Sequence, residues 1–282
     1  KRQQQDNPLV IVNGILIDGT TCSGEVTIPD GVTNIGNYTF RNCTGLTSIK
    51  IPKNVTSIGK NAFDGCTDLK EVLLENGSTL TSESLGVDAS IIKTYWNEGD
   101  LTWTLTADGT LTISGKGAMK NYDANNSPVA QKTDSVKKVV IEDGITNIGD
   151  CAFFDCTVLE SIEIPGSVAS IGNFAFCSCS RLTDITIPGS VTSIGEGAFR
   201  NCIGLTSISI PKSVTSIGNF AFYNCTDLTS INIPGSVTSI GDYAFDSCSS
   251  LTSITVPKSV TSIGNFAFYG CGKLTVYLEN GS

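Results

Sequence analysis

One phrase of 23 residues recurs along this chain, and it constrains the fold more than any other feature. A cysteine marks each copy, in one group at Cys43 and Cys66 and in a second at Cys156, Cys179, Cys202, Cys225, Cys248 and Cys271. A representative copy runs from Leu205 to Asp227, and the next begins at Leu228. A fixed period of this length predicts a repeat architecture in which each copy packs against its neighbours.

The first half of the phrase predicts two short strands joined by a turn. Ile208 and Ile210 alternate with serines, which is the spacing of a strand with one buried face. Pro211 cannot donate to a further ladder hydrogen bond and presets a turn. Val214 and Ile217 then form a second short extended segment. Each copy therefore contributes a strand, a turn and a second strand.

The second half of the phrase predicts one helical turn. Asn219 is a residue type favoured at helix N-caps. Ala221, Phe222 and Cys225 follow at positions i, i+1 and i+4, a spacing that places three side chains on one helical face. Each coil is thus predicted to end in a helical turn whose apolar face points into the core.

One coil cannot stand alone, so the coils are expected to stack. Burial of a large apolar side chain stabilises by roughly 1.5–3 kcal/mol, whereas ordering each residue costs about 1.5 kcal/mol. Burial is complete only when a coil is covered above and below. Stacked strands, about 4.8 Å apart, form parallel sheets. Equivalent residues then form columns of Leu, Ile, Phe and Cys, and the predicted fold is a β-rich solenoid.

The cysteine column is expected to consist of reduced, buried thiols that fill space as small apolar groups. Side chains at one position of a parallel stack point the same way, which is poor geometry for a disulfide. Cys22, Cys151 and Cys177 lie off the column. A Cys151–Cys177 link is conceivable, although free thiols are the preferred interpretation. No cysteine spacing resembles a zinc site, and neither a metal nor a cofactor is expected.

The pattern L-x-x-I-x-I-P-x-x-V-x-x-I-x-x-x-A-F-x-x-C resembles the BspA-type, or Treponema pallidum-type, leucine-rich repeat over about residues 25–75 and 136–278. The resemblance implies a leucine-rich-repeat solenoid without catalytic residues, from a bacterial cell-surface or secreted family implicated in adhesion to host proteins and to other bacteria. The partner would be a protein or a glycan. An extracellular or cell-surface location follows, with any signal peptide already removed.

Three parts are expected along the chain. Residues 1–78 hold the first array, capped by a hairpin over residues 9–17 that turns at Asn13-Gly14. Residues 79–135 form a β-rich spacer: a hairpin turns at 107–109, and a loop follows over 123–135. Residues 136–282 hold the second array. Both arrays close with Leu-Glu-Asn-Gly-Ser, at 74–78 and 278–282, which predicts either a shared exit turn or a point after which more protein follows. The alternative for the spacer is a small ligand-binding module around Trp96, Trp103 and Tyr122.

Charge and composition exclude several functions. The net charge is −9 and the pI about 4.5, so nucleic acid and anionic membranes are poor partners. The chain contains no histidine, the commonest general base. No stretch approaches the roughly 18 apolar residues of a membrane helix. We expect a monomeric, non-catalytic interaction protein; the alternative is a carbohydrate-binding or scaffolding region of a larger surface enzyme.

The position before each Ala-Phe pair is the candidate binding site. Because Asn61 and Gly197 share this position with aromatic residues, it must be at least partly exposed. Exposed aromatic side chains aligned along a solenoid could grip a ligand, or could simply pack on neighbouring coils. The candidate binding residues are Phe174, Phe220, Tyr243 and Phe266, with Tyr223 and Tyr269 three positions later, and Trp103 in the spacer.

A second candidate surface is the outward face of the first strand of each coil. Its residues are short and hydroxylated: Thr183, Thr206, Ser207, Thr229, Ser230, Thr252 and Ser253. Glu160, Glu163 and Asp184 are charged departures from this pattern. A carboxylate pair for acid–base chemistry would need a deep pocket. The preferred interpretation is a solvated sheet face on which β-branched threonine fits.

Overall fold

The computed structural model describes residues 9–279, and strands and turns dominate it. Contacts group these residues into two compact units. The first extends to Trp96 and also takes in Thr104–Asp108; the second takes in Asn97–Trp103 and continues from Gly109. The division into 1–78, 79–135 and 136–282 that the sequence suggests stays a prediction.

The elements follow one another as short strands with two brief helical segments. The first are β1 Val10–Val12, β2 Ile15–Asp18, β3 Gly24–Thr27, β4 Asn34–Ile35, β5 Leu46–Ile51, β6 Ser57–Ile58, β7 Glu71–Glu75, helix α1 Ser82–Leu85, a 3₁₀ helix Ala89–Ile91, β8 Ile92–Glu98, β9 Leu101–Thr106 and β10 Thr110–Gly115. The second array contains β11 Lys138–Ile141, β12 Asn147–Ile148, β13 Ser161–Glu163, β14 Ser170–Ile171, β15 Ser193–Ile194, β16 Ser207–Ser209, β17 Ser216–Ile217, β18 Ser230–Asn232, β19 Ser239–Ile240, β20 Ser253–Val256, β21 Ser262–Ile263 and β22 Thr275–Leu278.

The first unit begins with the predicted hairpin. β1 and β2 pair antiparallel around the Asn13-Gly14 turn, and β2 then pairs in parallel with β4 of the first coil. β4 pairs in turn with β6, while β3, β5, β7 and β8 form a second run of parallel strands. The predicted exit turn follows β7, where the Ser78 N–H donates to the Glu75 carbonyl at 2.9 Å. Its counterpart at residues 280–282 lies outside the described residues.

The second unit shows the 23-residue register directly. Ser170 pairs with Ser193, Ser216 with Ser239, and Ser239 with Ser262, all in parallel strands. On another side of the coil Ser207 pairs with Ser230 and Ile208 with Ile231. Equivalent residues therefore lie directly over one another, and the predicted solenoid of parallel ladders is confirmed.

The segment predicted as a helical turn is instead a series of hydrogen-bonded turns. Alternate N–H groups donate to the next coil: the Phe220 N–H to the Asp242 carbonyl at 2.9 Å, and the Phe222 N–H to the Ala244 carbonyl at 2.8 Å. The N–H groups between them donate three residues back within their own coil. A regular α-helix would use its N–H groups internally, so bonding between coils prevents it here.

Asn219 does not act as an N-cap of its own coil. Its Oδ1 accepts the backbone N–H of Asp242, one coil further on, at 2.9 Å. Asp242 repeats the contact toward Asn265 at 2.6 Å, as Asn173 does toward Glu196 at 2.8 Å. Asn219 does use its short side chain as a hydrogen-bond acceptor, as an N-cap residue would. The bond, however, joins successive coils instead of capping a helix.

The core of the second unit consists of columns of identical side chains. Phe153, Phe176, Phe199, Phe222 and Phe245 are fully buried, and neighbouring rings in this column lie 5.4–5.5 Å apart, centroid to centroid, with planes within 15° of parallel. Columns of Leu, Ile, Val, Ala and Cys surround them. The predicted columns are therefore present, and no coil has a core of its own.

The cysteine column is buried apart from the half-buried Cys66, and thiols within it donate to backbone carbonyls. Cys202 and Cys225 have no exposed surface, and their Sγ atoms donate to the carbonyls of Phe176 and Phe199, each at 3.1 Å. Burial raises the pKa of both thiols. Cys22 and Cys177 are also buried, and Cys151 is half-buried. All three are free thiols, so the Cys151–Cys177 link is not formed.

The spacer contains the predicted second pair of strands. β9 and β10 are neighbours in their sheet, joined by a turn that includes Gly109. Within the second unit β10 pairs in parallel with β11, with Leu111 opposite Val139, so the second array begins on this strand. Residues 123–135 contain neither helix nor strand, as predicted.

Candidate functional site

Five of the predicted binding residues come together on the turn side of the second array. Phe220, Tyr243 and Phe266 form one stack, with ring centroids 5.0 and 5.2 Å apart and planes within 3° and 19° of parallel. Tyr223 stands edge-on against Phe220, at 5.9 Å and 63°, and Tyr269 against Phe266, at 5.8 Å and 88°. We call these five side chains the aromatic ridge.

The ridge is open to solvent, increasingly so toward Phe266. Phe266 is 57% and Tyr269 66% exposed, while Phe220, Tyr223 and Tyr243 are half-buried. Both faces of Tyr243 are covered by its neighbours in the stack, so its ring edge is what reaches solvent. The ridge therefore presents mainly ring edges, together with the outer face of Phe266.

The backbone under the stack lies in the left-handed region. Phe220, Tyr243 and Phe266 have φ of 56°, 54° and 55°. A bulky side chain rarely adopts this conformation, which costs roughly 1–2 kcal/mol. Asn61 and Gly197, at the same position of other coils, are residue types that adopt it readily. The backbone conformation alone would therefore favour asparagine or glycine, rather than an aromatic residue, at this position.

Phe174 occupies the same position as the stacked rings but is separated from the ridge by one coil. Gly197 separates it from Phe220, and a Cβ at Gly197 would come within 2.3 Å of Cε1 of the Phe174 ring. The ring thus lies over the glycine. Arg200, from the same coil as Gly197, places its guanidinium 5.5 Å from the Phe220 centroid and 5.0 Å from that of Tyr223. This contact adds a positive charge to one end of the ridge.

Trp103 does not belong to this surface. It is fully buried and lies at the end of the phenylalanine column, 6.0 Å from Phe153 and edge-on to Tyr122 at 6.2 Å. The Tyr122 hydroxyl donates to the Glu98 carboxylate, and burial is the main reason that the pKa of Tyr122 is raised. A surface binding role for Trp103, or a ligand-binding module built on this pair, does not fit their burial.

The hydroxylated strand face is exposed, as predicted. Thr229 Oγ1 donates to the Thr206 carbonyl and Thr206 Oγ1 to the Thr183 carbonyl, both at 3.1 Å. Glu160 forms an exposed ion pair with Arg181 at 3.5 Å. Glu163 pairs likewise with Lys138 at 2.5 Å. Glu160 lines an open cleft of about 420 Å³ together with Arg181, and both carboxylates are engaged by a cation.

The described residues form several clefts. One of about 340 Å³ in the first unit is lined by Phe63, Cys66, Leu69, Val87 and Ile91 among others. Burial raises the pKa of the Cys66 thiol to about 11, which leaves it a poor nucleophile.

Across residues 9–279 no group of three or more His, Cys, Asp or Glu side chains is placed to hold a metal ion. No helix in this range is both long and apolar enough to cross a membrane.

Sequence reasoning missed two parts of the site. Arg200 was not among the predicted binding residues, because its contact with the Phe220 and Tyr223 rings joins two different coils. The left-handed backbone was also missed. Its signal was present, since Asn61 and Gly197 in the column are the residue types that favour positive φ.

The sequence model of one protein family, the BspA type Leucine rich repeat region (6 copies), matches this chain. The matched residues are 19–89, 129–225 and 169–280. These ranges cover most of the chain and include the whole ridge. A comparison with curated proteins gives no match.

Among solved structures, the leucine-rich repeat protein of T. pallidum is similar, with a TM-score of 0.51 and 26% identity. That comparison covers 64% of this chain and 90% of the other. A leucine-rich repeat protein from Bacteroides ovatus has a TM-score of 0.45 and 24% identity, covering 90% of this chain and 78% of the other. A leucine-rich cell surface protein from Faecalibacterium prausnitzii has a TM-score of 0.36 and 22% identity, covering 95% and 90%.

Proposed function

Because this chain belongs to the BspA-type leucine-rich repeat family, we propose that it is a non-catalytic, cell-surface or secreted adhesion module that binds a protein ligand along its aromatic ridge. The observation that carries the proposal is the stack of Phe220, Tyr243 and Phe266. Its members lie exposed or half-buried on a backbone conformation that aromatic residues rarely adopt. Such local strain is concentrated at functional sites.

The geometry favours a protein ligand over a glycan. A sugar ring packs best against the face of an aromatic ring, and both faces of Tyr243 are occupied by its neighbours. Ring edges, tyrosine hydroxyls and the Arg200 guanidinium suit the mixed apolar and polar surface of a protein. Tyrosine and arginine are also enriched among the residues that dominate protein–protein binding energy.

Catalysis is not part of the proposal. The chain has no histidine, the thiol pKa values are raised rather than lowered, and the exposed Glu160 and Glu163 are engaged in ion pairs. The proposed location outside the cell rests on the resemblance of the repeat to a bacterial surface family. The net charge of −9 argues against nucleic acid as a partner.

The test uses arrays of matrix proteins, mucins, bacterial surface proteins and glycans, probed with the purified chain. The ridge variant changes Phe220, Tyr243 and Phe266 to Asn, because Asn61 occupies the same left-handed position in this chain. The matched control is Tyr38→Asn, a single change at the equivalent position of the first array, where φ is 59° and the side chain 44% exposed.

We expect the parent and the control to bind the same protein ligands. The ridge variant should lose roughly 30-fold or more in affinity, corresponding to about 2 kcal/mol for a central aromatic cluster. Thermal unfolding should show that the variant is folded. Binding that is unchanged in the ridge variant, or binding confined to glycans, would contradict the proposal.

A further inference from the structure

We propose that the first unit holds a binding site for a free amino acid with an apolar side chain, where residues 79–91 pack on the last coil of the first array. The site consists of two adjoining clefts. The apolar cleft takes the side chain of the ligand, and the charged cleft takes its ammonium and carboxylate groups. This site is separate from the aromatic ridge, and the inference does not depend on the proposed function.

The last coil of the first array is covered less completely than an interior coil. Cys66 and Leu69 are half-buried. Cys225 and Leu228, at the same repeat positions inside the second array, have no exposed surface. The chain continues after the first array not with another coil but with residues 79–91, which form α1 and the 3₁₀ helix. Apolar surface that the repeat normally covers therefore stays open at this point.

The apolar cleft is the one of about 340 Å³ described above. Phe63, Cys66 and Leu69 line it from the coil, and Val87 and Ile91 line it from the segment that follows. Val87 and Ile91 are themselves half-buried and pack against the core of the first unit. Pockets for small molecules occupy roughly 300–1,000 Å³. This cleft is at the lower end of that range, which suits one apolar group rather than a large ligand.

The charged cleft adjoins the apolar one and has a volume of about 280 Å³. Phe63 and Gly86 line both clefts. A Cβ at Gly86 would meet no atom within 4 Å, so the junction between the clefts is open on that side. Lys60, Asp64 and Glu83 supply the charged groups of the second cleft. An apolar cleft and a charged cleft thus meet at one point.

The charges in the second cleft favour a zwitterion. Asp64 is already paired with Arg41, at 3.4 Å. Lys60 and Glu83 line the same cleft, yet neither side chain forms an ion pair with the other or with any other residue that the structure describes. A ligand carboxylate can bind the Lys60 ammonium while a ligand ammonium binds the Glu83 carboxylate. A simple amine or a simple acid would match only one of the two.

The first test measures the binding of L-phenylalanine and L-leucine to the intact chain by calorimetry. Each amino acid is compared with the amine that lacks its carboxylate and with the acid that lacks its ammonium. These are phenethylamine and 3-phenylpropionate for phenylalanine, and 3-methylbutylamine and 4-methylpentanoate for leucine. We expect at least one amino acid to bind, and its two analogues to bind about 5-fold more weakly or worse, because each lacks one charge-assisted hydrogen bond.

Two variants assign the charged groups. Lys60→Gln should bind the amino acid no more tightly than the parent binds the amine, and Glu83→Gln no more tightly than the parent binds the acid. Lys70→Gln and Glu142→Gln are the matched controls, because these exposed residues line neither cleft and should leave binding unchanged. All four positions are exposed, so each variant should fold, which thermal unfolding checks.

The thiol of Cys66 locates the bound side chain, because Cys66 lines the apolar cleft. The amino acid should slow the alkylation of Cys66 by iodoacetamide, followed by peptide mass spectrometry. It should not slow that of Cys151, a half-buried cysteine of the second unit.

Slower alkylation of Cys66, together with weaker binding in both Lys60→Gln and Glu83→Gln, supports the proposal. The absence of binding by both amino acids would overturn it, as would an amine or acid that binds as tightly as its amino acid. Binding that is unchanged in the two variants, or that leaves Cys66 unprotected, would also overturn it.

Discussion

Raising the pH from 8 to 10 should destabilise the second array through its buried thiols. Five cysteines have no exposed surface: Cys156, Cys179, Cys202, Cys225 and Cys248. Burial raises the pKa of each, to about 12 for Cys156 and Cys248. The unfolded thiol, with a pKa of 9.0, ionises in this interval, whereas the folded one stays protonated. This contribution to stability is complete below pH 9 and is lost as the pH rises toward 12.

The magnitude follows from the difference in bound protons. At pH 10 the ionisation of one exposed thiol favours the unfolded state by roughly 1 kcal/mol, and at pH 8 by almost nothing. Five buried thiols together should lower the free energy of unfolding by about 5 kcal/mol or more. That is comparable with the whole stability of a typical domain. The column should therefore make the array sensitive to alkali.

Urea unfolding, followed by tryptophan fluorescence in the presence of a phosphine reductant, measures this effect. Trp103 packs against Phe153 and so reports on the second unit. Cys225→Ala lacks one titrating thiol, so its loss of stability between pH 8 and 10 should be smaller than that of the parent by roughly 1 kcal/mol. Comparing the two losses cancels every other group that titrates in this range. Thr226→Ala, one residue away, should behave as the parent. Equal pH dependence in Cys225→Ala and the parent would refute the reasoning.

Three substitutions test the stacking itself by urea or thermal unfolding. Phe199→Ala removes a fully buried ring from the middle of its column and should lower the free energy of unfolding by about 3–5 kcal/mol; a loss below about 1 kcal/mol would contradict the packing. Gly197→Ala should cost about 1–2 kcal/mol, because φ is 56° and the new Cβ meets the Phe174 ring; Phe174→Asn should relieve part of that loss. Asn219→Ala removes the acceptor of the Asp242 N–H and should cost about 1 kcal/mol; no change would mean that the link between coils adds nothing.

The solenoid could be predicted because its period is a property of the sequence itself. Equivalent residues 23 positions apart, such as Ile217 and Ile240, can all be buried only if the coils stack in register. Leu101, Trp103 and Leu105 alternate with threonines, the pattern of a strand with one buried face, and that strand is present. The same alternation predicts that Trp103 points into the core. The prediction of Trp103 as a binding residue on the surface conflicts with this pattern.

The turn side could not be predicted in detail because its hydrogen bonds join different coils. The spacing of Ala221, Phe222 and Cys225 fits a helix when one coil is considered alone. In the stack, the N–H of Phe222 finds a carbonyl in the next coil. Exposure at the position of Phe220 could be inferred, because asparagine and glycine occur there too. The parallel stacking of the Phe220 ring on Tyr243 could not be inferred, because it depends on packing between coils.

The register of neighbouring coils is the claim on which everything else rests, and engineered histidine pairs test it most directly. The chain contains no histidine, so any site for Ni²⁺ formed by imidazoles must come from the introduced pair. Ser207 and Ser230 are exposed partners on adjacent strands. Changing both to His should create a chelating site, raising the melting temperature in Ni²⁺ relative to the pair at Ser207 and Thr229, which is out of register by one residue. Equal stabilisation of the two variants, or none in the first, would contradict coils stacked at intervals of 23 residues.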